Sequence, residues 1–295
     1  MKKIFLFILA LSLMMSFVSA QGLVINSPDS GSSFNKKVVS FDLSADVESN
    51  FYYINNIDAR GSWVILCAKK LSCVKSITLK EGDNKLTIKA VDASGTVETE
   101  EITVSVDTKK LFIKKTTPAI GFVSKGEFTA EVNKDLDSIT LNYGNSYYGF
   151  KTMDADCVEK VCKATITDLE TFEGQELVYW FSASDDFGNN AASREVSLKV
   201  DTTDPVIKYV SENSDNMVRR TLRLVFEVDE MNFDRIRFID GDEAASSWKV
   251  LCTRLDSGRC ARNIILRKGK HKIKFEVQDK AGNSAQETIS EFVVA

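Results

Sequence analysis

Six cysteines are the residues whose type and spacing speak most directly of chemistry. They fall in three close pairs, Cys67/Cys73, Cys157/Cys162 and Cys252/Cys260. Thiols ligate zinc, exchange redox equivalents or oxidise to structural disulfides. Zinc needs four ligands, and His271 is the only histidine, so two pairs would have to pool their sulfurs. No pair has the C-x-x-C spacing of a thioredoxin-like site. Three local pairs with nothing left over suit an oxidising compartment, and the reading is three structural disulfides. Each is expected to close a hairpin, one strand ending at the first cysteine and the next starting at the second.

Other chemistry is sparse. His271 stands between Lys270 and Lys272 and reads as a solvated strand-edge residue; with one histidine, triads and most catalytic zinc sites lose their base or ligands. The glycines are scattered at turns rather than gathered in a phosphate-binding loop. Acidic clusters at Asp154/Asp156, Asp185/Asp186 and Asp240/Asp242/Glu243 lie in turn-like contexts, where carboxylates bond the backbone more often than they work as a glycosidase pair. No catalytic residue and no metal ligand is assigned, and no enzyme is expected. No cofactor is expected either; the alternative is calcium at the domain junctions, where Asp107, Asp201 and Asp204 fall, with Asp92, Asp185 and Asp279 at hairpin tips.

Two stretches have the composition of a contact surface. Tyr143-Gly144-Asn145-Ser146-Tyr147-Tyr148-Gly149-Phe150 mixes rigid aromatics with small polar residues, as recognition loops do. Tyr143, Tyr147, Tyr148 and Phe150 are its candidate binding residues, and core packing is the competing reading. Arg267-Lys268-Gly269-Lys270-His271-Lys272-Ile273-Lys274 reads first as a solvated hairpin whose lysines protect a strand edge, with an anionic-polymer site as the alternative. Nucleic acid is not an expected partner.

The elements that must carry these residues are strands. Val39, Phe41, Leu43 and Ala45 alternate with polar residues, as do Phe128, Ala130 and Val132, and Leu222, Leu224, Phe226 and Val228. Further on, Leu86–Asp92, Val178–Asp185 and Ile273–Asp279 each run into an Asp-x-x-Gly turn ending at Gly95, Gly188 or Gly282. The whole pattern recurs with a period of roughly 90–95 residues. About seven short strands per repeat, with turns at even intervals, predict an all-β chain of three tandem seven-stranded antiparallel β-sandwiches.

Lys2 and Lys3, the apolar run from Ile4 to Val18, and Val18-Ser19-Ala20 make a secretory signal peptide over residues 1–20. The apolar run is short for a membrane span, so the mature chain is expected to carry no transmembrane anchor. The domains are expected at 21–108, 109–203 and 204–295. Charge is unevenly shared: residues 111–205 hold 9 basic and 16 acidic side chains, whereas residues 206–295 hold 16 and 14.

Val200-Asp201-Thr202-Thr203-Asp204-Pro205-Val206 resembles the connector between tandem immunoglobulin-like or fibronectin-III-like repeats of prokaryotic surface proteins. Asp279-Lys280-Ala281-Gly282-Asn283 resembles a turn of the same repeats. The resemblance implies Ig-like sandwiches in a secreted or cell-surface protein that acts as spacer, adhesin or envelope assembly subunit. Its implied partners are other envelope or surface proteins or polysaccharide. One departure stands out: antibody-type domains join their sheets through cysteines tens of residues apart, and these pairs lie five to eight apart.

Overall fold

Alternating apolar and polar residues, rich in β-branched and aromatic side chains, bury one face of an extended strand and wet the other. The chain follows that rule nearly everywhere. A computed structural model describes residues 22–57, 61–213, 220–241, 247–289 and 292–294. The expected signal peptide at 1–20 and the acidic pair Asp242/Glu243 lie outside the described residues. The described strands enclose three hydrophobic cores. The chain divides into two compact units, one ending at Lys110 and the other beginning at Leu111, apart from Asp186–Gly188, which are counted with the first. No helix among the described residues is long and apolar enough to cross a membrane.

The first core is built from β1 (Val24–Ser27), β2 (Ser33–Phe34), β3 (Val38–Asn55), β4 (Val64–Thr78), β5 (Gly82–Asp92) and β6 (Val97–Val106). Val39, Phe41 and Leu43 point inward with Leu86, Ile88 and Val104, all nearly inaccessible. Here the expected hairpin at the cysteines is corrected: Cys67 and Cys73 lie on one continuous strand, β4. β3 pairs with β1 over Asp42–Ser44 and with β5 over Ser49–Asn55, and its register with β4 shifts between Ser44 and Ser49, where it changes partner. Cys67 therefore sits opposite Phe51 on the β5 side of that shift and Cys73 opposite Leu43 on the β1 side. Nothing between Ala45 and Asn50 breaks an extended backbone, so β3 runs on unbroken to Asn55.

The second core lies between two sheets. One runs β12 (Asp156–Val158), β13 (Val161–Thr165), β9 (Glu127–Val132), β7 (Ile113–Thr117). The other runs β11 (Gly149–Asp154), β10 (Ser138–Asn145), β14 (Glu176–Ser184), β16 (Val196–Val200), β8 (Phe122–Val123), with β15 (Asn190–Ala192) also on β14. Phe128, Leu141, Tyr179 and Phe181 meet between them, joined by Phe172 from a single 3-10 turn over Leu169–Phe172. Only here do the cysteines close a hairpin: Cys157 on β12 pairs directly with Cys162 on β13.

The third core packs β17 (Val206–Asn213), β18 (Thr221–Asp229) and β21 (Arg259–Ile265) against β20 (Lys249–Cys252), β19 (Phe233–Asp240), β23 (Ile273–Asp279) and β24 (Ser284–Thr288). β22 (Gly269–His271) pairs with β25 (Phe292–Val294) beside them. Cys252 ends β20 in one sheet and Cys260 is the second residue of β21 in the other, so this bridge ties the two layers together. Cysteines eight residues apart do here what distant cysteines do in antibody domains. They manage it because the chain itself changes sheets between them.

Candidate functional site

The aromatic hairpin of the second core is set by pairing β10 to β11, with Asn145 opposite Gly149 and Gly144 opposite Phe150. The turn between them is Ser146-Tyr147-Tyr148. Asn145 organises it. Its side-chain oxygen accepts from the backbone N–H of Tyr147 (3.0 Å) and Tyr148 (2.9 Å), and its amide donates to Gln175 Oε1 (3.2 Å) and the Glu176 carbonyl (3.1 Å). Gly144 has φ +154°, and a Cβ there would come 2.1 Å from the Gly149 carbonyl oxygen, so only glycine closes this hairpin.

The four aromatic residues singled out in the sequence separate into two kinds. Tyr143 points inward, 7% exposed, its ring edge-on to Phe172 at 6.4 Å. Tyr148 also leans on Phe172, centroids 5.5 Å apart. Tyr147 and Phe150 face water, 80% and 56% exposed. Phe150 rests against Trp180 on the outer face of β14, centroids 5.4 Å apart. A shallow depression beside the hairpin is lined by Asn145, Tyr147, Phe150, Gln175, Glu176 and Val178. The sequence did not mark Gln175, Glu176 or Trp180. They come from a strand thirty residues on, and register alone brings them alongside.

Outer-face tryptophans in the other cores are covered by a cation. Lys89 lies 3.9 Å from the Trp63 ring centroid and 5.1 Å from that of Tyr52. The Arg237 guanidinium lies 4.8 Å from Trp248 while its Nε donates to Glu276.

The carboxylates considered for calcium mostly serve their own turns. Asp92 Oδ1 accepts from the backbone N–H of Ser94 and Thr96, and Asp107 from that of Lys109. Asp185 takes the Asn189 N–H and pairs with Lys134 at 2.5 Å, and Asp204 receives the Ser284 N–H at 3.3 Å. Only Asp201 and Asp279 converge, and Glu230, which sequence reasoning passed over, joins them. One carboxylate oxygen from each lies within 4.8 Å of the others. These three could hold a hard cation. The joint is also heavily bonded: Asn232 Nδ2 donates to Asp201 Oδ2 (2.9 Å), Asn283 Nδ2 to the Asp201 carbonyl (2.8 Å), and Ser124 Oγ to the Ala281 carbonyl (2.8 Å). Burial raises the pKa of Glu230, and the neighbouring Asp201 and Asp279 charges push it the same way. Burial likewise raises that of Asp279, against the hydrogen bonds it accepts from Asn283.

His271 corrects another expectation. Rather than a solvated edge residue, it is 8% exposed, because β22 turns it inward while Lys270 and Lys272 face water. Its Nδ1 lies 2.7 Å from Asp240 Oδ2 and its Nε2 2.7 Å from the Arg267 carbonyl oxygen. Arg267, Lys268, Lys270 and Lys272 are exposed.

No family model and no curated protein matches the chain. Among solved structures it is similar to the chicken CNTN1 FN1–FN3 domains, at 9% identity over 92% of this chain and 98% of that one, with a TM-score of 0.47. It is similar also to the fibronectin(III)-like modules of Clostridium thermocellum CbhA, at 17% identity over 61% of this chain and 94% of that one (TM-score 0.37). A third is a tetra-tandem repeat from the extending region of a large adhesion protein, at 15% identity over 92% and 73% (TM-score 0.32). The likeness extends to fold alone. The described chain is all-β, its strands gathered around three cores.

Proposed function

We propose that this is a non-enzymatic secreted or cell-envelope protein whose three disulfide-stapled domains, at 21–108, 109–203 and 204–295 after a signal peptide, act as a structural spacer, adhesin or assembly subunit. One observation carries the reading. The connector residue Asp201 is buried and bonded by its side chain and carbonyl to Asn232 and Asn283, so hydrogen bonds tie the last two repeats together at their joint. Relative motion of neighbouring domains is the default, and bonds across this joint restrain it, which suits a spacer. The residues best suited to catalysis are committed to structure: all six cysteines are oxidised, and the sole histidine is locked between two acceptors. The protein works without a cofactor in this reading. The calcium alternative rests with Asp201, Glu230 and Asp279. Its partners are other surface proteins or polysaccharide.

The test is made on intact cells. N-terminal sequencing of the mature protein should begin at Gln21, and a membrane-impermeant lysine cross-linker should capture it with its neighbours. A chain that keeps Met1 and stays inside the cell with free thiols would refute the proposal.

A second reading, a recognition module for carbohydrate or protein, is favoured by the exposure of Tyr147 and Phe150 on a hairpin that Asn145 holds in shape.

A further inference from the structure

We infer that the hairpin tip of the second core binds the sugar rings of a neutral polysaccharide, with Tyr147 and Phe150 as stacking faces and Gln175 and Glu176 as hydroxyl partners. This rests on the recognition reading above and names its ligand class.

Two aromatic side chains stay in water here at a real cost in apolar exposure, although the same hairpin buries Tyr143 and half-buries Tyr148. The division follows the anchoring. Tyr148 braces on Phe172, Tyr147 meets Tyr148 edge-on at 4.7 Å, and Phe150 is backed by Trp180. The exposed rings are thus held from behind, and little rotamer entropy remains to be lost on binding. A pyranose ring offers apolar C–H faces and equatorial hydroxyls in pairs, and it needs a flat ring beside a carboxamide or carboxylate. The depression next to Tyr147 and Phe150 supplies those groups from Gln175 and Glu176. A few convergent polar groups around an apolar wall are what small-ligand sites require.

Size and charge choose among occupants. A stable protein partner needs about 20–30 residues a side, and this tip offers six or seven side chains. Residues 111–205 carry 9 basic and 16 acidic side chains; Glu176 lines the depression, and Asp168 is ion-paired with Lys151 of β11 beside it. That field repels anionic polymers and leaves uncharged ones unaffected.

Electrophoresis of the purified, oxidised full-length protein through gels containing glucans, mannans, galactans or xylans, with alginate and heparin as anionic comparators, tests the inference. At least one neutral polysaccharide should retard the protein. Tyr147→Ala with Phe150→Ala should weaken that retardation at least tenfold while leaving the melting temperature unchanged. Val158→Ser, an exposed change elsewhere in the same core, should retard as the wild type does. Absence of retardation by every neutral polysaccharide would overturn the inference, as would full retardation of the double variant. Salt-sensitive retardation by the anionic comparators alone would place binding on the Arg267–Lys274 strip instead. Tyr147-dependent capture of a protein without polysaccharide binding would also overturn it, in favour of a protein partner. These measurements use purified protein, so they fail independently of the cell-surface experiment.

Discussion

His271 and Asp240 stand 2.7 Å apart at the edge of the third core, with the Arg267 carbonyl on the far side of the imidazole. Neutral imidazole has one N–H to give, and here both ring nitrogens face acceptors, so the imidazolium is the form that satisfies them. Burial works against the charge, but the Arg267 carbonyl and the Asp240 carboxylate outweigh it, and the pKa of His271 is raised above its usual 6.5.

A raised histidine pKa means the folded chain holds its proton more tightly than the unfolded one. The resulting stability is fully present below about pH 6.5 and is lost as pH climbs through the folded value. Thermal melts should show the third core weakening over that window, and Asp240→Asn should flatten the dependence. Because the chain has one histidine, its NMR titration is unambiguous; a midpoint at or below 6.5 would contradict the bridge.

The acidic joint should lose stability with rising pH over a lower window. Glu230 and Asp279 both have raised pKa values, so the folded joint gains protons that the unfolded chain lacks. The gain is complete below the ordinary carboxyl range near 4 and disappears as pH rises through the folded values. Glu230→Gln should therefore stabilise the protein at pH 7 and change little at pH 4, measured by urea unfolding. Adding calcium should reveal which occupant matters: a wild-type melt that rises while that of Glu230→Gln does not would identify a cation site.

The three disulfides should differ in worth despite similar loops. Closing five to eight residues removes about 2 kcal/mol of unfolded-state entropy in each case. Cys252/Cys260 also joins two sheets, and Cys67/Cys73 spans the register shift where β3 changes partner, whereas Cys157/Cys162 pairs neighbouring strands of one sheet with Cys157 exposed. Replacing Cys252/Cys260 or Cys67/Cys73 by alanine should cost more than replacing Cys157/Cys162, by denaturant titration. Mapping without reductant should recover three internal links.

Stability should also sort the hairpin tyrosines. Tyr143→Ala empties a buried site and should cost about 3–5 kcal/mol. Tyr148→Ala loses its contact with Phe172 and should cost less, and Tyr147→Ala should stay within about 0.5 kcal/mol. A large loss at Tyr147 would mean that its ring packs.

Much of the architecture was readable from one physical rule. Val39-Phe41-Leu43 and Leu222-Leu224-Phe226-Val228 alternate because a strand has two faces and only one meets the core, so type and inward side follow from sequence. The Asp-x-x-Gly turns were legible for a similar reason, since Asp279 and Gly282 solve a local backbone problem with local atoms. Spacing likewise made each cysteine find its near neighbour. What each bridge joins was not legible. That depends on whether β3 and β4 break or run on through their register shift, a choice made by packing over the whole core. Nor could sequence bring Glu230 to Asp201 and Asp279, or Gln175 to Tyr147, because strand pairing joins residues dozens of positions apart and no local signal encodes the partner. The same holds for His271: its lysine neighbours suggested water, and only the register of β22 turned it toward Asp240. Local chemistry determined the elements of this protein, and the long-range pairing of those elements decided its sites.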